Sequence, residues 1–189
     1  MSSEGPNHDE LDFEFLGNVS GEPYIVQTNL YINGTGDQIK KMYYSFIICI
    51  SIITRFLVDD IPIREFANKE KKGVPYPKNQ AMGIHGSLWN ADDWATQGGR
   101  VKTNWSNAPF VVKFQSFEID ACEITPYGTD DPVLKCEKSG QFWWDKPVVK
   151  EVNKQRKKQL KWIRNSFLIY DYCQDVARFP SRMPKECLG

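Results

Sequence analysis

The sequence predicts a mostly β protein with a single C-terminal helix, and three stretches carry that prediction. HDELDFEFLG alternates acidic and apolar side chains from His8 onward. An uncharged run rich in Ile, Phe and Tyr extends from Met42 to Thr54. Near the end, VNKQRKKQLKWIRNSFLIYDY sets Val152, Leu160, Ile163, Phe167 and Tyr170 close to a 3.6-residue spacing with the basic residues largely opposite.

Taken in order, strict alternation makes residues 8–16 a strand, the turn-rich GNVSGEP follows, and YIVQTNLYI (24–32) is a second strand. NGTGD (33–37) is a Gly-rich turn, so the two strands are antiparallel neighbours. The run 42–54 is too short for a membrane helix, which needs about 20 apolar residues. Its Ile, Phe and Tyr content favours buried strand. FLVDDIPIREF (56–66) reads as a strand pair around Asp59-Asp60. Residues 78–100 mix one short strand with a polar, aromatic loop, and PFVVKFQSFEIDACE (109–123) alternates as a strand. Residues 151–172 form a helix packed as a lid on a sheet, and 173–189 an irregular strap.

The chain has 189 residues, 41% hydrophobic and 25% charged, with Lys plus Arg equal to Asp plus Glu at 24 each. Such a balance gives no bulk charge for nucleic acid or an anionic membrane. Aromatics reach 13%, and their flat faces suit sugar rings as well as cores. MSSEGPN has neither the basic nor the apolar region of a secretory signal. Cys122 with Cys136 and Cys173 with Cys187 are each fourteen positions apart, a spacing that admits two short disulfide loops or four reduced thiols. No Cys or His spacing supports a zinc site, and no cofactor is expected.

On a strand Glu10, Asp12 and Glu14 share one face, with Leu11, Phe13 and Phe15 turned toward a core. A carboxylate wedged between two others has its pKa raised, which keeps one acid protonated while its neighbour stays ionised. Retaining glycoside hydrolysis uses that split, with carboxyl groups about 5 Å apart. Cα atoms four residues apart on a strand are separated by roughly 13 Å. The outer two side chains must therefore lean inward over Asp12.

HDELDFEFLGN resembles the active-site motif of the plant xyloglucan endotransglucosylase/hydrolases, a branch of glycoside hydrolase family 16. SLWNADDWATQGGRVKTNWSNAPFV (87–111) is similar to the family's segment lining the acceptor side of the cleft. FWWD, YDYCQDVARFP and PKEC resemble its C-terminal extension. The resemblance implies an all-β, concanavalin-like jelly-roll sandwich, incomplete here, over 1–120, and a helix-containing extension over 121–189. Glu10 is then the nucleophile, Glu14 the general acid/base and Asp12 the residue orienting the nucleophile, while His8 frames the cleft floor. Glucan contacts are implied for Gln27, Thr28, Asn29, Asp37, Trp94, Ala95, Gly99 and Arg178. Gln27 and Asn29, two apart, offer donors and acceptors on one strand face. Cys122–Cys136 and Cys173–Cys187 become the implied disulfides, and Asn18-Val-Ser20 the implied glycosylation sequon. The partners implied are a xyloglucan donor and a xyloglucan or oligosaccharide acceptor, handled by a secreted monomer of the cell wall.

The chain departs from the pattern in two places. Only seven residues precede His8, where relatives carry a signal peptide and several strands. QIKKMYYSFIICISIITRFL replaces a basic segment and two strands, with Gln38 and Ile39 in place of a polar pair. Lost strands would expose sheet edges and leave Cys49 unpaired. A non-catalytic glucan-binding remnant is the alternative reading.

Overall fold

The computed structural model describes residues 1–36, 38–44, 50–52, 55–116, 118–123, 142 and 154–188. They fall into two compact units. One comprises residues 1–85 and 91–102 with the C-terminal segment, and the other residues 86–90 with those from 103 onward to 152.

The first unit holds two antiparallel sheets and the helix. Its larger sheet has the order β1-β2-β3-β7, built from β1 (Glu10–Leu16), β2 (Tyr24–Tyr31), β3 (Lys40–Tyr44) and β7 (Leu168–Asp171). Its smaller sheet, β4-β5-β6, comprises β4 (Ile50–Ile52), β5 (Arg55–Val58) and β6 (Ile61–Glu65). β5 and β6 are joined by Asp59 and Asp60 alone, at φ 49° and 62°. Two central residues with positive φ make the kind of turn whose twist matches that of its flanking strands.

Alternation decides what each sheet buries. Val26, Leu30 and Met42 from the larger sheet meet Phe56 and Ile63 from the smaller one, with Ile32, Phe66, Val74 and Ile163 completing the core. Leu11 and Phe13 pack against it, and Phe13 meets Phe56 edge to face at 5.1 Å. Phe15, expected to face the core with them, stacks on Phe13 but is 42% exposed near the end of β1.

The helix α1 (Lys154–Ser166) is shorter than the sequence predicts. Ile163 is its one buried residue, and the Phe167 amide closes its last turn onto the Ile163 carbonyl at 2.9 Å. The aromatic and branched residues that follow then become β7. They satisfy their backbone against β3, with a register shift between Lys41 and Met42. Tertiary pairing overrides helical spacing here. Among the described residues no helix is long and apolar enough to cross a membrane.

Two further expectations differ. The short strand expected within 78–100 reduces to a single bridge between Ser2 and Gly83. Residues 109–116 and 118–123, in the second unit, form no strand. Val111 is 74% exposed and Phe114 56%. Alternation makes a strand only where a neighbour supplies ladder hydrogen bonds and a core covers one face. In the same unit Asn104 caps the short turn Trp105–Asn107, its side chain accepting from the Ser106 amide at 3.1 Å. Of the middle tract, residues 45–49 and 53–54, Cys49 included, lie outside the described residues.

Candidate active site

The β1–β2 register sets Glu10 opposite Tyr31, Asp12 opposite Asn29 and Glu14 opposite Gln27. All six lie on the face of the larger sheet turned away from the core. The row through Glu14 continues across the sheet, because Gln27 pairs with Lys41 and Lys41 with Tyr170.

Hydrogen bonds tie the acids to β2. Gln27 Nε2 donates to Glu14 Oε1 at 2.5 Å, and the Asn29 amide donates to Asp12 Oδ1 at 2.8 Å. Gln27 Oε1 is buried without a partner among the described residues. Burial, reinforced by Glu14 and Glu10, raises the Asp12 pKa to about 7 against the opposing pull of the Asn29 amide. Burial also raises Glu14, while Gln27 and Lys41 hold it down. Lys41 is lowered by its own burial and supported by Glu14. The crowding read from the sequence thus falls on the middle acid, where two like charges converge.

The remaining expected contacts divide into those the structure gathers here and those it does not. Trp94 belongs to the same unit, with the Lys41 ammonium 5.7 Å from its ring centre. Its loop is fastened to the end of β1 by Thr96 Oγ1, which donates to the Gly17 carbonyl at 3.4 Å. Ala95 is half-buried beside it. Gly99 serves the backbone of this loop, since at φ 81° any Cβ would fall 2.3 Å from the Asp93 carbonyl oxygen. Arg178 Nη1 donates to the Tyr170 hydroxyl at 3.2 Å, and that hydroxyl donates to Asp175 at 2.9 Å.

Thr28 is not brought to this face. It sits opposite Phe13, is buried, and its hydroxyl and carbonyl both accept from Arg64 Nη1, at 3.2 and 3.1 Å. Arg64 is itself buried between the Phe56 and Tyr172 rings, and burial lowers its pKa to about 10. Asp37 and Cys136 lie outside the described residues. Cys173 and Cys187 are joined by a disulfide, so Arg178 lies inside a closed loop. Asn18 is half-buried, its Nδ2 donating to the Pro23 carbonyl at 2.9 Å. No described cluster of three or more His, Cys, Asp or Glu is placed to hold a metal.

Lys41 and Tyr170 were missed by sequence reasoning, since only the pairing of β3 with β7 brings them into the row. His8, expected to frame the cleft floor, has its Nε2 3.3 Å from Glu10 Oε2, a contact the sequence reading does not include. A histidine two residues before an acid on one strand face was the signal available.

Comparison with known proteins covers both halves of the chain. Residues 1–48 and 52–107 match the family described as Glycosyl hydrolases family 16, and residues 138–187 match the Xyloglucan endo-transglycosylase (XET) C-terminus. Xyloglucan endotransglucosylase/hydrolase protein 9 of Arabidopsis thaliana is 52% identical over 99% of this chain and 67% of its own length. The chain belongs to the xyloglucan endotransglucosylase/hydrolase family. Xyloglucan endotransglucosylase protein 6 of Diospyros kaki is 48% identical over the same shares, and a probable xyloglucan endotransglucosylase/hydrolase protein 16 of Arabidopsis thaliana 44% identical. The chain spans about two thirds of the length of these relatives. The family 16 match includes the acidic strand and the Trp94 loop, and the C-terminal match includes β7, Arg178 and the disulfide.

Proposed function

We propose that the chain performs retaining glycosyl transfer on cell-wall xyloglucan, cutting the β-1,4-glucan backbone and rejoining it to an acceptor chain, with water as the alternative acceptor. The observation that carries this reading is the row Glu10, Asp12 and Glu14 on one sheet face, with its middle acid raised to about 7. Below that pH Asp12 adds no second negative charge beside Glu10. Glu10 is then free to be the ionised nucleophile, while Glu14, raised by burial and aligned by Gln27, carries the proton for the leaving oxygen. Glu10 forms the glycosyl ester as that bond breaks. Glu14, now a base, deprotonates the acceptor hydroxyl that displaces the ester.

Trp94 offers a stacking face, and Gln27, Asn29 and Arg178 are the polar side chains set around the acids. Family membership together with the assembled acids favours an enzyme over a non-catalytic glucan binder. Residues 1–120 belong to the catalytic sandwich and 121–189 to the extension, whose β7 joins the larger sheet. The protein acts as a monomer in the cell wall, an oxidising setting suited to its disulfide, and carries a glycan at Asn18.

The test is transfer from xyloglucan to a labelled oligosaccharide acceptor by the purified chain. Glu10→Ala is expected to lower the rate on the order of 10³-fold or more, with the melting temperature retained. Transfer that survives this substitution rejects Glu10 as nucleophile.

A further inference from the structure

We propose that His8 is a positioning residue for Glu10, its imidazole holding the carboxylate in one fixed orientation. This rests on Glu10 being the nucleophile of the transfer proposed above.

The geometry leaves the ring little choice. His8 Nδ1 lies 3.0 Å from the Gly5 carbonyl oxygen, which can only accept, so Nδ1 carries a hydrogen. Nε2 points at Glu10 Oε2 from 3.3 Å. The imidazole is thereby aimed at one carboxylate oxygen, which fixes how Glu10 is presented.

The ring is also fixed sideways, 5.4 Å from that of Tyr31, the register partner of Glu10. Tyr31 is in turn crowded by Gly36, where a Cβ would come within 2.5 Å of three of its ring carbons. The His8 carbonyl accepts from the Gly34 amide at 2.8 Å. Among the described residues, the charged and titratable groups around the pair are Asp12 and Glu14 on the same face of β1, the Tyr31 hydroxyl on β2, and the Met1 ammonium, which attracts both Glu10 and Asp12. Asp9, next in the chain, is occupied with the Asn33 amide.

The test uses an aryl glycoside of a xyloglucan oligosaccharide whose phenolate departs without protonation, which removes Glu14 from the first step. His8→Phe keeps a ring without a donor, and His8→Gln supplies an N–H that does not titrate. His8→Phe is expected to lower kcat/KM at least about tenfold with KM within about twofold. His8→Gln should regain most of that loss. A His8→Phe protein matching the wild type in rate overturns the proposal, as does a His8→Gln protein that loses as much kcat/KM as expected for His8→Phe. The second variant decides alone if the first does not fold. A wild type that forms no glycosyl-enzyme rejects Glu10 as nucleophile, whereas turnover unaltered by either variant rejects His8 only.

Discussion

Asp12 shows how one side chain links stability to chemistry. Its pKa of about 7 lies above the ordinary 3.8, so the folded protein keeps a proton that the unfolded chain releases. That contribution is full below about pH 4 and drains away as pH rises through 7, each unit of difference being worth about 1.4 kcal/mol before solvent screening. Asp12→Asn should therefore flatten the dependence of melting temperature on pH between about 4 and 7. At pH 8 it should melt several degrees above the wild type, read by calorimetry, while transfer activity falls. A substituted protein as pH-sensitive as the parent would place the buried proton elsewhere. The sequence made the crowding of this acid legible, because alternation alone puts three carboxylates on one side. It also implied the correct face for Gln27 and Asn29. Thr28, between them, cannot share that face, and a resemblance that names three consecutive residues does not carry the pleat.

At the level of the element, the β5–β6 hairpin was legible from Asp59-Asp60 between apolar runs, and it holds both residues at positive φ. An L side chain is strained in that conformation and glycine is not, so Asp60→Gly should stabilise the protein by roughly 0.5–1 kcal/mol in urea unfolding. A loss of stability would mean that the Asp60 carboxylate makes a contact worth more than the strain. The helix was readable from its periodicity up to Ser166. Beyond it, Phe167 and Tyr170 fit helix and strand templates alike, and only a vacant edge on β3, remote in sequence, decides between them. Residues 109–116 and 118–123 failed in the opposite direction. Their alternation was clear, but a strand is defined by its neighbour.

Across the whole molecule, the face that carries the acids is assembled from distant parts of the chain. Lys40 Nζ pairs with Asp171 Oδ2 at 2.5 Å, a contact bridging 131 positions, and β7 carries Tyr170 and the anchor of Arg178. That is why Lys41 and Tyr170 escaped sequence reasoning, whereas the local Glu10–Glu14 pattern did not. The Cys173–Cys187 bond closes a loop of 14 positions around Arg178. Replacing both cysteines by serine should cost about 3 kcal/mol of unfolding free energy and raise KM for xyloglucan more than it lowers kcat. An unchanged KM would remove Arg178 from glucan binding. The late arrival of β7 also matters during synthesis. At roughly 5–20 residues per second, the ribosome reaches residue 171 on the order of ten seconds after residue 40, and until then β3 presents unsatisfied amides to any passing strand. Two consecutive lysines on that margin, 40 and 41, would repel such intruders while the nascent polypeptide waits for its own final ribbon.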